Sequence, residues 1–168
     1  SIDNNIPDLI NIKPKKYKYS SIKISKKDEK KLIILLTNPD LTSYMFQQLS
    51  NDNITFIQET FDYPSKLLIS FRTQLLRDIS IKNFYRLKTK KLNKKYKSKI
   101  PILDLANQYM VSPISILHLI LKNKYGKKPF ASNKLTLYDK QQIKLANEHD
   151  IVNSLDQENI MKHSLQYE

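Results

Sequence analysis

Residues 102–124 read ILDLANQYMVSPISILHLILKNK, and the fold is decided there. Apolar residues recur at helical spacing on both sides of a short break at 110–112. Ala106 is a small residue where a second helix would cross closely. Leu105, Tyr109, Val111, Ile116 and Leu119 stand where side chains lock two such helices together. Ser112 predicts an N-cap, Pro113 the first residue of the second helix, and Gly126 its left-handed C-cap. This is the pattern of a helix-turn-helix. One position departs from it: the turn prefers glycine, and Met110 stands there. The second helix also carries Ile114, Leu117 and Leu121, so Ser115, His118 and Lys122 are the polar residues of its outer side. A helix that is apolar nearly all round is covered by other protein. Sequence-specific reading of the major groove is therefore not expected of it.

Outward from this stretch the signals stay helical. Ser25 followed by Asp28 predicts a capped helix to about Thr37 that buries Leu32, Ile33, Leu35 and Leu36, and Asn38-Pro39 ends it. Asp40 is expected to cap a helix carrying Leu41, Tyr44, Met45 and Leu49, and Asn53 a short one with Ile54, Ile57 and Phe61. Pro64 is placed to start a long helix through Leu68, Phe71, Leu75 and Ile79, continuing to about Lys90. On that wheel the following lysines point all round, so 91–99 reads as a basic linker or frayed end closed by Pro101. The fold class is all-α: a helical bundle containing one helix-turn-helix, or two in tandem, with a basic N-terminal arm. Its segments are a basic extended arm (1–25), a helical module with a basic end (26–99), the helix-turn-helix (100–126) and an acidic helical segment (127–168).

Composition removes several classes of function. The 168 residues contain one glycine, Gly126, whereas phosphate-cradling loops, dinucleotide fingerprints and tight hairpins need several. There is no cysteine, hence no disulfide, thiol catalysis or cysteine-ligated zinc. No apolar run approaches the ~20 residues of a bilayer span, and no signal sequence is visible, so an intracellular protein without membrane contact is expected. His118, His149 and His163 lack ligand spacing, Asp156 and Glu158 read as a solvated face, and Met45, Met110 and Met161 read as core filler. No catalytic constellation, metal site or cofactor is expected.

Charge gives the functional signal. The formal net charge is +13, with 26 Lys and 3 Arg among the basic residues. Residues 13–31 hold nine lysines against Asp28 and Glu29; residues 82–99 hold nine basic side chains and no acid. Two such segments point to a polyanion, double-stranded DNA first, gripped through phosphates with release of counterions. Few arginines mean little bidentate reading of guanine. The expected contacts are Lys15, Lys16, Lys18, Lys88, Lys90, Lys91, Lys94, Lys95 and Lys97, with Tyr17 and Tyr19 as stackers and Ser115, His118 and Lys122 on the second helix. The competing reading makes the lysines a solvated surface and the apolar helix 113–125, with the acidic tail, a docking site for a protein partner.

The stretch LDLANQYMVSPISILHLILKNKY, with the helical region before it, resembles the N-terminal part of the codanin-interacting nuclease family. The likeness runs over roughly residues 28–126 and is sharpest from Leu103 to Leu121. It implies tandem helix-turn-helix modules and a nuclease domain of the PD-(D/E)xK class beyond residue 168. The Lys-, Asn- and Ile-rich composition suits an AT-rich genome such as that of a large DNA virus or a protist, and with DNA as the partner a nucleus or a viral replication compartment is expected. The family's Thr-Pro-Asp motif is not in these residues. Pro7-Asp8 with Glu29-Lys30-Lys31 matches the bare PD…ExK pattern, but Asp8 falls in the arm and Glu29 in a helix's first turn. A metal-holding pair needs both carboxylates on adjacent strands.

Overall fold

Four hydroxyls start four helices. Ser25, Ser50, Ser112 and Thr136 each accept a hydrogen bond from the backbone N–H three residues on, at 3.1, 3.1, 3.3 and 3.0 Å. The computed structural model describes residues 22–38 and 40–153. Within them lie α1 (Lys26–Leu36), α2 (Asn51–Phe61), α3 (Ser65–Phe84), α4 (Thr89–Lys97), α5 (Ile102–Tyr109), α6 (Pro113–Tyr125), a 3-10 turn (Pro129–Ala131) and α7 (Leu137–His149). No strand occurs among the described residues, so the protein is all-α. The arm residues Lys15, Lys16, Tyr17, Lys18 and Tyr19, and the acidic tail from Ser154, lie outside the described residues.

The centre of the bundle is α6. Helices α4, α5 and α7 and the 3-10 turn pack on it, while α1 and α2 pack on α3. One apolar core runs from Leu32 through Ile79, Leu105, Ile116 and Leu121 to Val152. α5 and α6 are joined by Met110, Val111 and Ser112. Met110 takes the left-handed conformation, φ 54° and ψ 47°, which glycine adopts more easily. Its side chain is buried, and its carbonyl accepts from Asn83 Nδ2 of α3 at 3.1 Å. Packing thus holds a residue that backbone sterics disfavour. Gly126 does end α6, but with φ 94° and ψ −166°, a positive-φ extended conformation rather than the left-handed helical one. No neighbour lies within 4 Å of where a Cβ would stand, so the constraint there is conformational.

Four further sequence expectations need correction. The helix expected after Asp40 is absent: residues 40–47 are turns and bends. Their backbone is engaged by distant side chains instead. Arg72 of α3 donates to the Met45 and Gln47 carbonyls (2.8 and 2.7 Å), Asn107 accepts from Met45 N–H (2.8 Å), and Asn53 donates to the Leu41 carbonyl (2.8 Å). Met45, Phe46 and Leu49 are buried without a helix. The next helix starts one turn earlier than expected, because Ser50, not Asn53, is its cap.

The long helix also stops sooner. α3 ends at Phe84, and Tyr85–Lys88 turn the chain before α4 begins. Residues 91–97 are helix, not a linker: Leu92 and Tyr96, four apart, are buried against the bundle. Lys99 closes it in the left-handed conformation, φ 69°, with Lys99 N–H to Tyr96 O and Ile100 N–H to Lys95 O, a Schellman end.

Candidate nucleic-acid interface

The break at Tyr85–Lys88 resets the phase of the helical wheel. On one continuous helix the lysines of 82–99 would splay to all sides. On α4 alone, Leu92 and Tyr96 face the bundle, and Lys90, Lys91, Lys94 and Lys97 fall within an arc of about 120° at ~100° per residue. All four are exposed, as is Lys88 just ahead of the helix. Lys95 differs. It is half-buried, with its ammonium 5.0 Å from the Tyr109 ring centroid, and belongs to the flank of the arc. Lys88 to Lys97 spans about 14 Å at ~1.5 Å per residue, close to four duplex base steps of ~3.4 Å.

The C-terminal end of α6, a helix that packs on α4, carries a second group of lysines. Residues 122–134 carry Lys122, Lys124, Lys127, Lys128 and Lys134 and no acid, and all five lysines are exposed. An acid-free run of this kind was readable in the composition. Its closeness to α4 was not. That closeness is set by one buried carboxylate, Asp139 of α7. Asp139 accepts from Tyr96 of α4 at 2.7 Å and from Tyr125 of α6, while also closing the capping box with Thr136. Burial pushes the Asp139 carboxyl up, but the hydroxyls of Tyr125 and Tyr96 and the Thr136 bonds outweigh it, leaving its pKa below the usual value. Burial and the adjacent Asp139 raise the Tyr96 phenol, which stays a neutral donor. Nearby, the Lys99 ammonium sits 4.1 Å from the Tyr138 ring centroid.

The other end of α6 is closed. Asp150, buried, accepts from Ile114 N–H at 2.8 Å and from the N–H groups of Val152 and Asn153 at 3.1 Å. Asn153 Nδ2 also donates to Ser112 Oγ, and Ser112 N–H donates to Ser80 Oγ. A carboxylate thus already occupies the helix N-terminus where a phosphate would sit. Burial raises the Asp150 pKa, and its hydrogen bonds to Ile114, Asn153 and Ser112 work against that rise.

The three polar residues of α6 separate. Lys122 is exposed, Ser115 is half-buried and bonded to Ser112 Oγ, and His118 is half-buried with its ring edge-on to Phe130 at 5.3 Å between centroids. Burial, and then the charge of Lys122, lowers the His118 pKa, so its ring is neutral near pH 7. Ser115 and His118 line an open groove of about 340 Å³ with Ser80, Ile81, Phe84, Tyr85 and Ile114. Most of the apolar side of helix 113–125 packs inside the bundle: Ile116, Leu117, Ile120 and Leu121 are buried there, and Ile114 borders the groove.

Arginine has structural posts. Arg72 is buried with no acid partner among the described residues, its burial lowering the pKa to about 10, and Arg77 donates to the Val152 carbonyl at 3.0 Å. Glu29 lies buried in the first turn of α1, where burial raises its carboxyl. Among the described residues no group of three His, Asp or Glu could hold a metal, and no helix is long and apolar enough to cross a membrane. No family model, curated protein or solved structure matches this chain.

Proposed function

We propose that this chain is a non-catalytic module that binds nucleic acid, double-stranded DNA first, by gripping phosphates without reading sequence. The observation that carries the reading is the α4 arc: Lys88, Lys90, Lys91, Lys94 and Lys97 exposed together, with the acid-free end of α6 alongside. Phosphate contact needs positive charge presented along one line, and base readout needs donors and acceptors projected into a groove. The second requirement is poorly served here. Asp150 fills the N-terminus of α6, and two of the three arginines hold backbone carbonyls. Such a module would work where DNA is handled, in a nucleus or a viral replication compartment, by itself or ahead of a nuclease domain.

The test is fluorescence anisotropy with a labelled duplex of random sequence. With the five α4 lysines each neutralising a phosphate, affinity is expected to fall ~500-fold between 50 and 200 mM salt. Affinities for unrelated sequences are expected to agree closely. No detectable binding at 50 mM salt removes the proposal, and a strong preference for one sequence removes its non-specific character.

A further inference from the structure

The groove between the end of α3 and the start of α6 is built differently from the basic arc. Its walls are the side chains of Ile81, Phe84 and Ile114, and its polar groups are Ser80, Ser115 and His118. Apolar walls with a few convergent polar groups are the usual make-up of a site for a small planar ligand. Those polar groups have capacity to spare. The Ser80 hydroxyl accepts from Ser112 N–H and keeps its own proton to give, while the Ser115 hydroxyl is shared with Ser112 Oγ at 2.8 Å and keeps a lone pair to accept. Neither ring nitrogen of His118 has a hydrogen-bond partner among the described residues, and in the neutral ring one donates and the other accepts.

At the mouth stands Tyr85. It is 82% exposed, an unusual position for so large a ring, and it packs edge-on against Phe84 at 5.8 Å. The charge around the groove suits an anion. Lys122 lies one turn beyond His118 on α6, and Lys88 follows Tyr85 by three residues and opens the α4 arc.

Resting on the phosphate-binding reading above, we propose that this groove takes one unpaired nucleobase. The base stacks on Tyr85, turns its hydrogen-bonding edge toward Ser80, Ser115 and His118, and leaves its strand on the lysines of α4. The module then favours duplex ends, gaps or single strands over an intact duplex. Its affinity rises wherever a base is free to leave the stack.

Three labelled DNAs test this by anisotropy at fixed salt: a blunt hairpin, the same hairpin with a short single-stranded overhang, and one whose overhang is abasic. The overhang is expected to tighten binding, and the abasic overhang to match the blunt hairpin. Tyr85→Ala, at so exposed a site, leaves the bundle folded. It is expected to weaken overhang binding roughly 5- to 150-fold, the range of one aromatic–base stack, with blunt-hairpin binding unchanged. The ring NMR signals of His118 are expected to move with the overhang DNA and not with the blunt one. Equal losses for both DNAs, or none, overturn the base site. So does an overhang that gives no gain while blunt binding persists, which would assign the groove to an apolar protein segment. Absence of binding to every DNA overturns the phosphate reading itself, so the two failures are distinguishable.

Discussion

Replacing Lys90, Lys94 and Lys97 together by glutamine probes the basic arc at its centre. The three side chains lie within about 60° on the α4 wheel and extend over about 10 Å, some three duplex base steps. All are exposed, and Leu92 and Tyr96, which seat the helix, are left untouched. Glutamine matches lysine in helix propensity, so the fold is expected to persist. Each neutralised phosphate contributes ~0.9 to the slope of log affinity against log salt. Three lost contacts therefore flatten the slope by ~2.7. Counting only the five α4 lysines, the parent loses ~500-fold between 50 and 200 mM salt and the variant only ~10-fold.

The assay is anisotropy over a salt series, with far-UV circular dichroism to confirm unchanged helix content. A control removes as many charges elsewhere: Lys26→Gln, Lys27→Gln and Lys30→Gln on α1, all exposed. It separates a specific surface from bulk positive charge. A local arc predicts a change in slope below ~1 for the control. If the α4 variant keeps its slope, or the α1 control loses as much, the lysines act as a diffuse cloud and the reasoning fails.

The remaining predictions concern what holds that surface in place. Arg72→Ala strands the Met45 and Gln47 carbonyls and opens a cavity, so it is expected to cost ~3–5 kcal/mol in urea unfolding; Arg72→Lys, able to reach one carbonyl, is expected to cost clearly less. Met110→Gly gains ~1 kcal/mol from relief at φ 54° but loses a buried side chain worth ~2–5 kcal/mol, so it is destabilising overall; Met110→Ala, which loses the packing and keeps the strain, is expected to be worse than Met110→Gly by ~1 kcal/mol, and the reverse order would refute the account of the turn. Asp139 has a folded-state pKa below the unfolded ~3.9, so its contribution is full above that pH and is lost as pH falls through the folded value; Asp139→Asn is expected to lower Tm at pH 7 and to flatten the decline of Tm below about pH 4.

What the sequence disclosed was whatever depends on neighbours. Ser25, Ser112 and Pro113 act within one helical turn, and all three stand where local rules put them. Met110 was visible as an oddity, and the turn does require an unusual backbone there. Residues 40–49 misled because their apolar spacing is genuinely helical. Side chains 12 to 64 positions away, from Asn53, Arg72 and Asn107, outbid the local hydrogen bonds. The end of α3 was hidden for a related reason: Phe84 to Lys88 contains no proline or glycine, and the buried Asn83 is committed to Met110, 27 residues on. Of the candidate site, the lysines were legible as a count and not as a surface. A shift of helical phase at four residues decides which way they point.

Two buried acids make the division of labour on α6. Asp150 at its start neutralises the helix dipole from inside the molecule, and Asp139 near its end accepts Tyr96 and Tyr125 and so draws α4 alongside. A protein that read bases with α6 would leave the first of these positions open to the ligand. A protein that only needed soluble lysines would have no use for the second, because α4 could fray without loss. The pairing makes sense if the task of α6 is to carry α4 rather than to enter a groove itself. Cutting the Asp139 link by Tyr96→Phe and Tyr125→Phe together should then loosen α4 and weaken DNA binding with every surface lysine still present. Hydrogen exchange across 89–97 reports the loosening and anisotropy the binding. Faster exchange with undiminished binding would show that the lysines do not need the helix that gathers them.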